Sequence, residues 1–105
     1  MIIAIDFDGV IHDAERPVKG RRMGAPIAGA RETIEKLRWR LGAKIIVFTA
    51  RAGEKETNAV RDWLNFYEID HDEITNIKPI ADIYLDDKAV RFTTWAEFAS
   101  TVGVE

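Results

Sequence analysis

Residues 1–9 read Met-Ile-Ile-Ala-Ile-Asp-Phe-Asp-Gly: five apolar residues, then a carboxylate, a phenylalanine, a second carboxylate and a glycine. The isoleucines make Met1 to Phe7 a strand, and its unbroken apolarity marks a strand buried on both faces. The design returns at Lys44 to Thr49 (KIIVFT) and at Asp82 to Leu85 (DIYL), which again ends in acidic residues. Weaker strand signals lie at Ile74 to Ile77 and at Ala89 to Phe92.

The intervals between the strands carry helical periodicity. Ile27, Ala30, Ile34, Leu37 and Leu41 recur at three- and four-residue steps, with Pro26 suited to a first helical turn and Gly42 to a stop. A second helix is expected from about Glu54 to Tyr67, with Val60, Trp63, Leu64 and Tyr67 on its apolar side and Glu54 and Glu56 in the first turn, where carboxylates suit the macrodipole. A third runs from Thr94 to about Ser100, with Thr94 as N-cap and Glu97 at capping-box spacing. Strand and helix in alternation imply right-handed crossovers. The expected fold is therefore α/β, a Rossmann-like, doubly wound, mostly parallel sheet with helices on both faces.

The chain has 105 residues, 47% hydrophobic and 31% charged with a formal net charge of −3, so one globular domain over residues 1–105 is expected. Zero cysteines exclude a disulfide scaffold, a thiolate metal site and a cysteine nucleophile, and suit a cytoplasmic location. The apolar runs fall far short of the roughly 18 residues of a membrane span, and no basic region precedes the first of them as in a secretory signal. Charge is segregated. Glu15 to Arg22 holds four basic residues (Arg16, Lys19, Arg21, Arg22) against one acidic, whereas Glu68 to Asp87 holds seven acidic residues against Lys78. Pro17, Gly20, Gly24 and Pro26 make the basic stretch a loop or irregular hairpin of about fifteen residues.

In open parallel sheets, ligands bind outside the carboxyl ends of the strands, where this chain sets Asp6, Asp8, Thr49, Asp86 and Asp87. Side chains alternate along a strand, so Asp6 and Asp8 point to one side and Phe7 to the other. Unless two such acids share a proton they need a cation, and with Asp86 and Asp87 they form the hard, oxygen-rich site that Mg²⁺ prefers. Gly9 permits a sharp turn that brings backbone N–H groups near an anion. Thr49 adds a hydroxyl, Ala50 an amide, and Lys78 a cation with Arg51 as helper. One aspartate to attack, one to move a proton, a magnesium site and donors for oxyanions describe phosphoryl transfer through an aspartyl-phosphate.

The order of these parts, IIAIDFDGVI, IIVFTA, IKP and IYLDD, resembles the four motifs of the haloacid dehalogenase-like (HAD) superfamily over Met1 to about Phe92. The resemblance implies a Mg²⁺-dependent phosphomonoester hydrolase. By that likeness Asp6 is the nucleophile, Asp8 the general acid and base, Thr49 a holder of the phosphoryl oxygens and Lys78 a support for both. Magnesium would be bound by Asp6, the Asp8 carbonyl and the acidic pair, mostly through the second member, Asp87, leaving Asp86 to orient Lys78 or a metal-bound water. Only some forty residues separate Asp8 from Thr49, so the chain looks like a member with no cap domain, similar to the phosphatase domains joined to polynucleotide kinases. A bare site admits a phosphorylated small molecule or a phosphate on a nucleic-acid end, and the Arg16 to Arg22 stretch is either a contact for such polyanions or a solvated loop.

Two other classes use similar residues. A phosphoryl-accepting receiver also has acids, Thr and Lys on a doubly wound sheet, but its acidic pair ends the first strand and its acceptor lies on a later one. A binding module would keep the fold without turnover. His12 and His71 have no Ser or Cys nucleophile beside them in sequence and are expected at the surface. Trp39, Trp63, Trp95, Phe66 and Tyr67 are expected to supply core area.

Overall fold

The computed structural model describes residues 1–86 and 90–104, excepting the side chains at 90 and 91. In chain order the elements are β1 (Ile2–Asp6), β2 (His12–Pro17), β3 (Gly24–Pro26), α1 (Ala30–Leu41), β4 (Lys44–Phe48), α2 (Glu54–Phe66), β5 (Glu73–Thr75), β6 (Ile83–Asp86), β7 (Val90–Arg91) and α3 (Trp95–Val102). One sheet has the order β5-β4-β1-β6-β7, with every neighbouring pair parallel. Strands β2 and β3 form a separate antiparallel hairpin. The chain winds outward from β1 through β4 to β5 and then returns to β6 on the other side of β1. This is the expected Rossmann-like, doubly wound α/β fold, with no cap among the described residues. The reversal of direction between β1 and β6 opens a crevice at their carboxyl ends.

Alternation along the strands divides the interior. Ile3, Ile5 and Phe7, Ile45 and Val47, and Leu85 share one buried cluster with Ala30, Ile34 and Leu37 of α1, Val60, Trp63 and Leu64 of α2, and Trp95, Phe98 and Ala99 of α3. Each aliphatic side chain fully buried there stabilises the fold by about 1.5–3 kcal/mol. Ala4 and Ile46, at the alternate positions, are buried outside that cluster. On their side Phe48 meets Tyr84 edge to face, and Lys78, from the connection between β5 and β6, sits 4.9 Å over the Tyr84 ring. Helical cover is thus uneven between the faces. Only residues 76–82 link β5 to β6, fewer than the roughly 10–12 that a crossover containing a helix requires.

Other departures from expectation have local causes. Pro26 does not open α1: it closes β3 opposite His12, and the next N–H, of Ile27, donates to the Ile11 carbonyl at 2.8 Å. The helix begins only after Gly29, whose φ of 90° favours glycine and whose missing Cβ would lie 3.0 Å from that of Trp95. Thr94 caps α3 as expected, its hydroxyl oxygen accepting from the Glu97 N–H at 3.1 Å. Trp63 and Trp95 are core residues, but Trp39 is 79% exposed, turned off the stripe formed by Ala30, Ile34 and Leu37. Phe66 is also exposed, with the Arg21 guanidinium 3.7 Å above its ring.

Leu37→Ala is expected to lose about 2–5 kcal/mol of stability, whereas Trp39→Ala stays within about 0.5 kcal/mol of the parent. Urea denaturation of the two variants checks this. Equal losses would mean that the buried stripe of α1 is wrongly assigned.

Candidate functional site

The rim is built where β1 runs out. Asp6 is the last residue of the strand, and the Phe7 N–H still reaches the Phe48 carbonyl of β4 at 2.9 Å. A tight loop follows, in which the N–H groups of Ile11 and His12 converge on the Phe7 carbonyl at 3.0 and 2.9 Å. Gly9, at φ 84°, makes the turn. Its N–H does not face outward as an anion donor: it donates to the His12 carbonyl at 2.9 Å. What the loop presents to solvent is Asp8, whose side chain is 45% exposed.

Three N–H groups hold the Asp8 carboxylate. Arg51 donates from Nε to Oδ2 and from Nη2 to Oδ1, both at 3.1 Å, and His12 Nδ1 donates to Oδ1 at 2.8 Å. The end of β4 aims the arginine. Thr49 is buried, its N–H donates to the Thr75 carbonyl at 2.9 Å, and its hydroxyl oxygen accepts the Arg51 N–H at 3.1 Å. Behind Arg51, its Nη1 lies 3.7 Å from Glu56 Oε2, and Glu56 Oε1 accepts from Arg22 Nη2 at 2.6 Å. A chain of alternating charge thereby runs from the rim to the basic end of the hairpin.

Burial pushes the Asp8 carboxyl up. The hydrogen bonds from Arg51 and His12 and the guanidinium charge outweigh it, holding the group below the ordinary aspartate value of 3.8. A general acid needs the opposite direction. The Arg51 guanidinium is raised in turn, chiefly by its hydrogen bond to Asp8.

A second group lies across the strand order. Ile5 pairs with Leu85, so Asp6 and Asp86, each one residue further on, end neighbouring strands on the face that carries Ala4 and Tyr84. Asp86 is buried, and Lys78 Nζ lies 3.6 Å from its Oδ2. The Tyr84 hydroxyl is buried with no hydrogen-bond partner among the described residues, and burial first, then the charges of Asp6 and Asp86, pushes its pKa up to about 12. It remains a neutral phenol beside two carboxylates. Asp87 lies outside the described residues, and Ala50 is exposed beside Thr49. Among the described residues no group of three acidic or histidine side chains is close enough to hold a metal, which leaves Asp6 and Asp86 as the adjacent pair.

Sequence reasoning missed His12, Glu56 and Tyr84. His12 is not at the surface: it is 2% exposed and bonded to the rim. Its spacing of four from Asp8 and its apolar neighbours Val10 and Ile11 were the available signal. His71 is half-buried, with Nδ1 3.0 Å from the nearby Ile69 carbonyl oxygen. A cavity of about 740 Å³ opens between the starts of α1 and α3, bordered by Ile27, Thr33, Trp95 and Ala99 among others, and none of the rim residues lines it.

No protein-family model matches the chain, and no curated protein matches it. Among solved structures it is similar to the conserved protein coded by a locus of Bacteroides thetaiotaomicron, at 26% identity and a TM-score of 0.73, over 98% of this chain and 89% of that one. The likeness extends over almost the whole α/β architecture. No described helix is long and apolar enough to cross a membrane.

The Asp8–Arg51 pair carries a pH signature. A carboxyl depressed below 3.8 on folding adds stability that is fully present above that value and is lost as pH falls through the lower folded value. Arg51→Met, in metal-free buffer, is therefore expected to be less stable than the parent at neutral pH, with the deficit shrinking toward zero in acid. Urea midpoints measured across that range check it. A deficit independent of pH would show that the pair is not its source.

Proposed function

We propose that this chain is a Mg²⁺-dependent phosphomonoester hydrolase of the haloacid dehalogenase-like type, working through an aspartyl-phosphate on Asp6. The observation that carries the reading is the Arg51 fork on Asp8, because a guanidinium with two N–H groups on a carboxylate is also shaped to take two phosphoryl oxygens. A phosphate arriving at the rim competes for that fork. Once Arg51 transfers to the phosphoryl group, the strongest force depressing Asp8 is gone and the carboxyl can carry a proton.

In the first half-reaction an Asp6 carboxylate oxygen bonds to phosphorus, the ester P–O bond breaks, and the leaving oxygen takes the Asp8 proton as it departs. In the second, Asp8 accepts a proton from water, the water oxygen bonds to phosphorus, and the bond to Asp6 breaks. Inorganic phosphate leaves and both aspartates are restored. Lys78, beside Asp86, offsets part of the negative charge at this edge. The Asp6 and Asp86 carboxylates, whose charges both act on the buried Tyr84 hydroxyl, unpartnered among the described residues, are a hard oxygen set that fits Mg²⁺. The Asp8 carbonyl and Asp87 complete the proposed ligands. Bound there, Mg²⁺ would neutralise carboxylate charge and polarise phosphoryl oxygens.

No cap covers the rim among the described residues, and of the exposed basic residues Arg16, Lys19, Arg21 and Arg22 the last is linked to it through Glu56 and Arg51. An open site flanked by cations favours phosphates on nucleotides or nucleic-acid ends over small enclosed metabolites.

Phosphate release from a panel of phosphomonoesters, including 3′- and 5′-phosphorylated oligonucleotides, tests the reading. Turnover is expected with Mg²⁺, is lost on chelation, returns on Mg²⁺ readdition and is abolished by Asp6→Asn. An Asp6→Asn protein with parental turnover would overturn it.

A further inference from the structure

His12 is held on every side. Its ring stacks on Phe7 at 5.1 Å with planes 5° apart, and meets Trp63 edge-on at 5.4 Å. The Gly24 N–H donates to Nε2 at 2.8 Å. That occupies the Nε2 lone pair, so the network assigns the ring proton to Nδ1, which donates it to Asp8 Oδ1. Gly24 is itself clamped, because Trp63 Nε1–H donates to its carbonyl at 2.9 Å, and a Cβ on Gly24 would stand 2.0 Å from the Asp13 carbonyl oxygen. The tautomer is therefore dictated by the hairpin.

The two partners of Asp8 differ in freedom. Arg51 is 27% exposed and reaches the carboxylate across the open rim, so it can follow an anion. His12 is 2% exposed, with both ring nitrogens bonded and both neighbouring rings packed, and cannot. Resting on the function proposed above, we propose that His12 is a positioning residue: it keeps hold of Asp8 Oδ1 when Arg51 moves to the phosphoryl group, so that Oδ2 alone faces the reacting oxygen. The proton delivered to the leaving group, and the one later taken from water, both pass through Oδ2. The Nδ1 proton of His12 stays on nitrogen throughout.

Two substitutions separate this role from simple anchoring of the hairpin. In His12→Asn the side-chain amide still offers Asp8 an N–H near the Nδ1 position but offers Gly24 no acceptor. In His12→Gln the amide oxygen accepts from Gly24 near the Nε2 position, with no donor left for Asp8. Alkyl phosphates need a proton delivered to the leaving oxygen, while 4-nitrophenyl phosphate barely does. His12→Gln is expected to lose at least about tenfold in the rate of phosphoenzyme formation from an alkyl phosphate, with formation from 4-nitrophenyl phosphate kept, whereas hydrolysis of the shared phosphoenzyme, in which Oδ2 takes the proton from water, slows by the same factor after either ester. His12→Asn is expected to recover the alkyl ester rate despite lower stability. Equal losses of phosphoenzyme formation from both esters in both variants, or loss in Asn with retention in Gln, would overturn the proposal and leave His12 as a hairpin anchor. Absence of turnover by the parent protein on either ester would sink the phosphatase reading instead. The contact is then decided by ¹⁵N NMR of the parent imidazole: a slowly exchanging Nδ1–H with an accepting Nε2 is expected, and an Nε2–H tautomer overturns the inference.

Discussion

Carboxylates that end neighbouring parallel strands repel one another, and everything at the rim of this molecule is arranged around compensating them. Asp6, Asp8 and Asp86 reach the same edge because β1 and β6 are adjacent, parallel and in register. Among the described residues, Arg51 and Lys78 answer them from other parts of the chain. Arg51 comes from the turn after β4, and Lys78 from the short connection into β6. Topology creates the charge problem, and it also delivers the groups that solve it, since the connections leaving the carboxyl ends of parallel strands open on that edge.

The compensation is uneven, and the unevenness suits chemistry. The Arg51 fork is partly exposed, and ion pairs of that kind contribute only about 0–1 kcal/mol, so exchanging a carboxylate for a phosphoryl dianion costs little. The imidazole on the other side of Asp8 is packed between aromatic rings and tied through Gly24 to the hairpin. One contact is made to yield and the other to stay. Asp8 consequently rests as an anion held by hydrogen bonds, and on the proposed reading it becomes a proton carrier only when something else satisfies the arginine.

Much of the sheet was legible because each strong strand is a local apolar run: MIIAI, KIIVF and the start of DIYLDD need no distant partner to be recognised. Thr94 and Gly42, whose caps are local hydrogen bonds, were legible for the same reason. What escaped depends on contacts far apart in sequence. The state of His12 is decided by Gly24, twelve residues on, and that of Asp8 by Arg51, forty-three residues on. Pro26 read as a helix start because nothing local reveals that residues 24–26 pair with the hairpin. Trp39 read as core because its spacing from Leu37 and Leu41 does not say how wide the buried stripe is.

The central claim is that the carboxylate ending β1 takes up the phosphoryl group. It is tested most directly by quenching the protein during turnover, reducing any acyl phosphate with borohydride and mapping the reduced residue by mass spectrometry. The account predicts reduction at Asp6 alone. Reduction at Asp8 or Asp86, or none in a sample that is releasing phosphate, would contradict it.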